Sequence, residues 1–153
     1  MKFISVERNN FDHTQQLEYK EKPIEEASIL VAEDNMVNQI LIKKFLKKWH
    51  VGNLVIASDG QEALEEFDQG EFDIVLLDIQ MPLLDGFSVA KLIRENKNSS
   101  KSQIPILILS ASSYHEIKEE MGGFGINGFI EKPFTSEDLY GKLAEYLNSK
   151  DIS

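Results

Sequence analysis

One carboxylate, Asp78, directly follows the apolar run Ile74 to Leu77 and could take part in phosphoryl transfer. A continuous apolar run of this length is typical of a strand that is buried on both faces of a parallel sheet. The chain then breaks at Met81-Pro82 and turns at Asp85-Gly86, so the strand ends close to the acid. Open α/β sheets bind their ligands at the carboxyl ends of such strands. We therefore predict that Asp78 accepts a phosphoryl group. The alternative is a helix cap or a solvated loop acid, which is the more common role of a single aspartate after a strand.

Further polar side chains stand at the ends of other apolar runs: Glu33, Asp34, Ser110 and Lys132. Each of them alone is typical of a helix cap or a solvated loop. Their joint placement favours one site, because grouped carboxylates repel and shift one another's pKa values unless a cation joins them. Oxygen ligands suit a hard ion such as Mg²⁺. A hydroxyl at Ser110 and an ammonium at Lys132 can then hold phosphoryl oxygens, which is most of what phosphoryl transfer requires.

The elements that must position these residues alternate regularly between strand and helix. Five apolar segments are predicted strands: Ser28–Ala32, Asn53–Ala57, Ile74–Leu77, Ile104–Leu109 and Gly128–Ile130. Predicted helices follow them at 36–49, from Asp59 to Gly70, after Asp85-Gly86, at about 113–121 and after Thr135. Such alternation predicts an α/β fold with a doubly wound, five-stranded parallel sheet in the order 2-1-3-4-5. In that order the four strands that carry polar ends are neighbours.

Two local patterns give more specific expectations. The first helix carries an apolar stripe, which predicts its inward face: Val37, Ile40, Leu41, Phe45 and Trp49. Four lysines are expected on its other side: Lys43, Lys44, Lys47 and Lys48. The polar run Asn96 to Ser102 makes the connection after the third helix long, and we interpret it as a tolerated surface insertion.

Length and composition limit the range of functions. The 153 residues suit one domain, predicted at 28–149, with 1–27 as a linker or N-terminal extension and 150–153 as a tail. The net charge of −10 argues against direct binding of nucleic acid or of anionic membranes. There is no cysteine, so disulfides and thiolate metal sites are excluded. No apolar run approaches the length of a membrane span, so a cytoplasmic location is expected.

Four motifs contain the strand-end residues: Val31-Ala32-Glu33-Asp34-Asn35, Leu77-Asp78-Ile79-Gln80-Met81-Pro82-Leu83-Leu84-Asp85-Gly86, Ile106-Leu107-Ile108-Leu109-Ser110-Ala111 and Glu131-Lys132-Pro133-Phe134. Together they resemble the receiver domain of the two-component response regulator family, over about residues 27 to 149. The resemblance implies a flavodoxin-like receiver fold. It also implies Mg²⁺-dependent transfer of a phosphoryl group from phosphohistidine to Asp78, so that the domain catalyses its own phosphorylation.

The same resemblance implies roles for individual residues. The implied ligands of Mg²⁺, or of Mn²⁺ in its place, are Asp34, Asp78, the backbone carbonyl of Gln80 and, through water, Glu33. The implied contacts of the phosphoryl oxygens are Ser110 and Lys132, and the Lys132-Pro133 peptide bond is implied to be cis. By the same resemblance, Gln80 and Ser112 tune the lifetime of the phosphorylated state.

The implied switch consists of Ser110 and Phe129. The family often has threonine and tyrosine at these two places. Serine keeps the switching hydroxyl, whereas Phe129 keeps a ring without the phenol oxygen, so an output that depends on that hydrogen bond is not expected. The face formed by the fourth helix, fifth strand and fifth helix would report the state and could also form a homodimer.

The implied partners are a histidine kinase core and a histidine phosphotransfer domain, because the start of the first helix resembles receivers of hybrid sensor kinases. A stand-alone single-domain regulator is the main alternative, and a degenerate receiver used as a docking scaffold is another. A flavin site is disfavoured because the strand ends carry carboxylates where a flavin phosphate needs neutral or basic groups. A phosphatase would need a second acid where Gln80 stands. The scattered His13, His50 and His115 suggest no metal site.

Overall fold

The computed structural model describes residues 22–148, and within them five strands form one parallel sheet. The strands are β1 Ser28–Ala32, β2 Asn53–Ala57, β3 Ile74–Asp78, β4 Ile106–Ser110 and β5 Gly128–Glu131. Their order is β2-β1-β3-β4-β5, and every neighbouring pair is parallel. This is the predicted order 2-1-3-4-5, so the predicted fold class is confirmed. Because all strands run the same way, their carboxyl ends lie at one edge of the sheet.

Helices cover both faces of this sheet. They are α1 Met36–Lys48, α2 Gly60–Gln69, α3 Gly86–Arg94, α4 Tyr114–Gly123 and α5 Ser136–Leu147. One apolar cluster joins the sheet to α2, α3 and α4, and a second joins its other face to α1 and α5. Successive residues of β3 alternate between the two clusters, as Ile74 and Val75 do. A strand that is covered on both faces therefore needs the continuous apolar run that the sequence has.

Side-chain caps fix where the main helices begin. Asn35, Asp59, Asp85 and Thr135 each accept a hydrogen bond from a backbone N–H in the first turn of the helix that follows. Such caps satisfy donors that have no partner inside the helix. Thr135 and Asp138 form the reciprocal capping box that the sequence predicts for α5.

The inward face predicted for α1 is wrong in its first two turns. Ile42 and Leu46 are buried in the core, whereas Met36 and Val37 are each 72% exposed and Ile40 is 60% exposed. Apolar residues occur on almost every side of this helix, so sequence periodicity alone does not single out the stripe that faces the sheet. The exposed face of α1 therefore begins apolar and continues into the four lysines.

Some element boundaries also differ from the sequence predictions. β4 begins at Ile106 rather than Ile104, because Pro105 has no N–H to donate to a ladder. Gly122 and Gly123 extend α4 instead of ending it. The polar connection after α3 contains a four-residue helix, Ser99–Ser102.

The segment just before β1 packs on the domain. A 3-10 turn at Ile24–Glu26 buries Ile24 in the cluster shared with α1 and α5. The N–H of Gly52 donates to the Ile24 carbonyl over 3.1 Å, and the N–H of Asn53 donates to the Ala27 carbonyl over 2.9 Å. Residues 1–21 and 149–153, which hold most of the predicted extension and the tail, lie outside the described residues, so the predicted domain boundaries stay predictions.

At the amino ends of the strands, Arg94 joins two connections, the one that leads into β4 and the one that leads into β5. Its guanidinium donates to the carbonyls of Ser102, Ile104 and Gly125 and to Oδ1 of Asn127, over 2.6–2.9 Å. Asn127 Oδ1 also accepts from the first N–H of β4 over 2.8 Å. Burial lowers the pKa of Arg94. Among residues 22–148, no helix is long and apolar enough to cross a membrane.

Candidate phosphoryl-acceptor site

Three carboxylates meet where β1 and β3 end. One carboxylate oxygen from each of Glu33, Asp34 and Asp78 lies within 4.8 Å of the other two. Glu33 is fully buried and Asp78 is 8% exposed, whereas Asp34 faces solvent. The parallel pairing of β1 with β3 brings them together, because Ala32 and Leu77 are partners in the ladder and the acids follow directly. This acidic cluster can bind a metal ion, since hard divalent cations take such oxygen ligands.

Lys132, just after β5, completes the site. Its Nζ lies 3.2 Å from Glu33 Oε1 and 3.3 Å from Asp78 Oδ1. The N–H of Lys132 donates to the carbonyl of Ser110 over 2.7 Å, and the Lys132-Pro133 peptide bond is cis, as the resemblance implies. One ammonium therefore neutralises part of the charge of the three acids and leaves an excess of negative charge that suits a cation.

Hydrogen bonds hold Glu33 in place from the start of α1. The N–H of Asn35 donates to Glu33 Oε2 over 3.1 Å, and Nδ2 of Asn38 lies 3.4 Å from the same oxygen. The side chain of Gln39 donates to the Glu33 carbonyl. The contacts from Asn35 and Asn38 orient a fully buried carboxylate, which needs partners because burial without them is costly.

The pKa of Asp78 is raised from 3.8 to about 6, mainly because burial disfavours the charged carboxylate. The nearby charge of Glu33 raises it further, and Lys132 lowers it. The site thus disfavours the ionised form of Asp78, and a cation bound beside Asp78 would favour that form.

We predict that the Asp78 contribution to folding stability falls as the pH rises from about 4 to above the folded pKa of about 6. Between about pH 4 and pH 6 the folded protein holds a proton on Asp78 that the unfolded chain has released, because the folded pKa is the higher one. The free energy of unfolding should therefore fall between pH 5 and pH 7.5 more steeply for the wild type than for Asp78→Asn, by on the order of 1–2 kcal/mol. Urea unfolding of both proteins without divalent cations measures the difference, and parallel profiles would contradict this prediction.

Ser110 and Ser112 line the same cleft, which has a volume of about 890 Å³. Ser110 is buried at the end of β4, and its Oγ accepts a hydrogen bond of 2.9 Å from the N–H of Ser112. Gln80 is exposed on the loop after β3 and also lines the cleft. Asp34 and Asp78 line it as well, so the predicted acids and hydroxyls share one open space.

The loop after β3 is held close to the end of that strand. The N–H of Gly86 donates to the carbonyl of Ile79 over 2.8 Å. A Cβ at Gly86 would lie 2.4 Å from the carbonyl oxygen of Asp78, so only glycine fits without a shift. The Asp85-Gly86 turn of the sequence thus allows α3 to begin directly beside Asp78.

Phe129 lies on β5, three residues before Lys132. It is half-buried against the cluster under α2, α3 and α4, and its ring centroid is 6.2 Å from that of the exposed Tyr114 at the start of α4. The sequence-predicted switch ring therefore touches the first turn of the helix that follows Ser110. Of the histidines, His50 and His115 are exposed, and His13 lies outside the described residues.

Sequence reasoning missed the exposed apolar surface next to the cleft. Besides Met36, Val37 and Ile40 on α1, a small apolar pocket of about 280 Å³ opens there. Its lining includes Leu41, Ala111, Pro133 and Phe134. Contiguous exposed apolar surface is a feature of many interaction sites. The signal was present in the sequence, since α1 has more apolar residues than one buried stripe needs.

Comparison with protein-family models matches residues 29–144 to the response regulator receiver domain. The chain belongs to this family. It is a receiver domain of two-component phosphorelay signalling, and the strand order and the acidic cluster at the strand ends agree with the match. The family predicted from the four motifs is thereby confirmed.

The receiver domain is similar to known proteins of several kinds. It is 36% identical over 137 residues to hybrid signal transduction histidine kinase K of Dictyostelium discoideum, a match that covers 86% of this chain and 11% of that kinase. Its structure matches the receiver domain of sensor histidine kinase PA1611 from Pseudomonas aeruginosa, which has a magnesium ion coordinated in the active-site cleft. That match has a TM-score of 0.71 at 30% identity and covers 79% of this chain and 97% of the other.

A third similar structure is a complex. The Saccharomyces cerevisiae receiver domain of Ssk1, crystallised with the histidine phosphotransfer protein Ypd1, matches with a TM-score of 0.72 at 26% identity. The match covers 84% of this chain and 90% of that chain. The chain spans only a small part of hybrid kinase K, whereas it covers most of each of the two solved receiver domains.

Proposed function

We propose that Asp78 is the phosphoryl acceptor of this receiver domain and that phosphohistidine is the donor. The observation that carries the proposal is the meeting of three carboxylates within 4.8 Å, with the Lys132 ammonium 3.3 Å from Asp78. Asp78 is the member of the cluster that stands at the end of the central strand and opens on the cleft. This arrangement provides a nucleophile, a place for a cation and a fixed positive charge.

The reaction is an in-line displacement at phosphorus. A carboxylate oxygen of Asp78 forms the new O–P bond while the N–P bond of phosphohistidine breaks. The electron pair of that bond goes to the imidazole nitrogen, which then takes a proton from water. Lys132 stabilises the negative charge on the phosphoryl oxygens as they pass between donor and acceptor.

Mg²⁺ is the proposed metal, with Mn²⁺ as its substitute. Asp34, Asp78 and the carbonyl of Gln80 would hold the ion, and Glu33 would reach it through water. The bound ion would supply charge neutralisation for the phosphoryl oxygens. The magnesium ion in the similar PA1611 receiver supports this choice, as does the all-oxygen ligand set.

Phosphorylation would act through Ser110 and Phe129. The Ser110 hydroxyl now accepts the N–H of Ser112 and would turn to a phosphoryl oxygen, so the start of α4 would shift. Phe129, which touches Tyr114, would then move inward. We propose that the face of α4, β5 and α5 reports this change. The same face can form a homodimer. Gln80 and Ser112, which line the cleft, would tune the lifetime of the phosphorylated state.

We also propose that the domain comes from a hybrid sensor histidine kinase and acts in the cytoplasm. Its partners would be the kinase core and a histidine phosphotransfer domain, as the similarity to kinase K and to the receiver in the Ypd1 complex suggests. The exposed apolar turns of α1 beside the cleft would contact such a donor. A stand-alone regulator would use the same site and the same surface.

Intact mass after treatment with acetyl phosphate, with and without Mg²⁺, tests the proposal. One phosphoryl adduct that requires Mg²⁺ is expected. If no adduct forms and Mg²⁺ does not bind, the fold would serve as a docking scaffold and the proposal would be wrong. Measuring Mg²⁺ binding separately by titration calorimetry distinguishes a missing metal from a missing nucleophile.

A further inference from the structure

The lysines of α1 form a positive surface on an acidic protein. Four of the 16 basic residues of the chain lie on this helix, which has no acidic residue, while all 26 acidic residues lie elsewhere. The four lysines are exposed and are called here the lysine surface: Lys43, Lys44, Lys47 and Lys48. The proposed phosphoryl chemistry makes no use of them.

Most of this surface is unpaired within the described residues. Lys48 lies 3.4 Å from Glu137 on α5, where both side chains are more than half exposed. Within residues 22–148, Lys43, Lys44 and Lys47 have no ion pair or hydrogen bond through their side chains. Like charges placed three or four residues apart on a helix repel one another. The folded domain therefore contains a cluster of positive charges that repel one another, and an acidic partner would reduce this repulsion.

The lysine surface continues the exposed apolar turns. Lys44 follows Ile40 by four residues, so the two side chains are neighbours on one exposed side of the helix. The apolar end is next to the cleft, because Asn35 and Asn38 at the start of α1 line it. The lysines begin eight residues after Asn35, which is about 12 Å along the helix axis, and extend to about 20 Å.

We propose that the lysine surface binds an acidic patch on the phosphohistidine donor, a histidine phosphotransfer domain. The inference rests on the proposed function and adds the charge and place of the recognition site on the partner. A donor whose histidine is over Asp78 and whose apolar side chains cover Met36, Val37 and Ile40 would carry these acids opposite the part of α1 that lies about 12–20 Å along the helix axis from Asn35. Exposed charges of this kind act mainly on the rate of association and on the choice of partner.

The test measures phosphoryl transfer from phosphorylated Ypd1 at low and high salt. Lys43→Glu combined with Lys47→Glu should lower the second-order transfer rate by about tenfold or more at low ionic strength. The loss should shrink at about 0.5 M salt, where the screening length is only a few ångströms. The matched control is Lys91→Glu with Lys97→Glu, which makes the same change in net charge at exposed positions away from α1. This control should keep transfer close to the wild-type rate.

Acetyl phosphate separates this inference from the proposed function. All variants should take the small donor at the wild-type rate, because they lie outside the cleft. A general failure of the small donor would overturn the proposed function. Two results would overturn the role of the lysine surface alone, provided that acetyl phosphate labels the protein normally. One is no transfer from Ypd1, and the other is equal transfer to both double variants.

Two other occupants are outcomes of the same series. Lysine-dependent pelleting with phosphatidylserine vesicles would assign the surface to anionic lipid. Self-association that Lys43→Glu with Lys47→Glu abolishes, seen by sedimentation equilibrium, would assign it to a second copy of the chain. Either result would overturn the assignment to a phosphotransfer domain.

Discussion

Asp78→Asn should abolish phosphoryl labelling by acetyl phosphate in the presence of Mg²⁺. The substitution exchanges a carboxylate oxygen for an amide and so removes the nucleophile, while its size and place at the end of β3 are unchanged. The variant should stay folded, because the carboxylate that it replaces is 8% exposed and disfavours its own ionised form. Intact mass spectrometry and thermal denaturation measure the two effects on one sample.

The control for this variant is Asp59→Asn. Asp59 caps α2, and asparagine is an equally good cap, so labelling and folding should both remain. Persistent stoichiometric labelling of Asp78→Asn would show that another residue accepts the phosphoryl group. Loss of labelling in Asp59→Asn would show that the assay reports damage to the fold.

Lys132→Met should reduce the labelling rate by about 10²–10³, the usual effect of removing one fixed charge or donor that stabilises the transition state. It should also destabilise the metal-free protein by about 3–5 kcal/mol, because Glu33 is fully buried and would lose its cation. Rates are therefore measured at a temperature where urea unfolding shows the variant to be folded, and at saturating Mg²⁺.

Two further variants separate these effects of Lys132. Lys142→Met removes an exposed lysine whose nearest acid, Glu145, is 3.8 Å away, and it should change neither rate nor stability appreciably. Lys132→Met combined with Glu33→Gln should regain stability, because the buried charge is gone, without regaining the labelling rate. Wild-type labelling by Lys132→Met would refute the role of this lysine.

The sheet and the place of the site could be predicted from sequence because both depend on strong, local signals. Continuous apolar runs such as Ile74 to Leu77 identify strands that are covered on both faces, and chain alternation sets their direction. Once the strands are parallel, the residues after them must share an edge. The meeting of Asp34 and Asp78 therefore follows from topology and needs no knowledge of side-chain packing.

The orientation of α1 could not be predicted in the same way. Its sequence has enough apolar residues for two stripes, and tertiary packing decides that Ile42 and Leu46 face the core. The same holds for Arg94, whose acceptors lie in two irregular connections, 8 to 33 residues further along the chain. Contacts between irregular segments leave no periodic trace, so neither the Arg94 contacts nor the docking of Ile24 could be anticipated.

The hydrogen bonds of Arg94 lead us to expect that the amino ends of the strands open less readily than the loops at their carboxyl ends. Arg94, Asn127 and the amino ends of the strands are joined by well-formed hydrogen bonds, whereas the opposite end holds mutually repelling carboxylates. Local opening should thus cost more free energy around Arg94 than in the loops around Asp78. Amide hydrogen exchange should then be slow around Arg94 and fast in the loops around Asp78. A ligand could therefore order these loops while the hydrogen bonds of Arg94 keep the strands of the sheet in register.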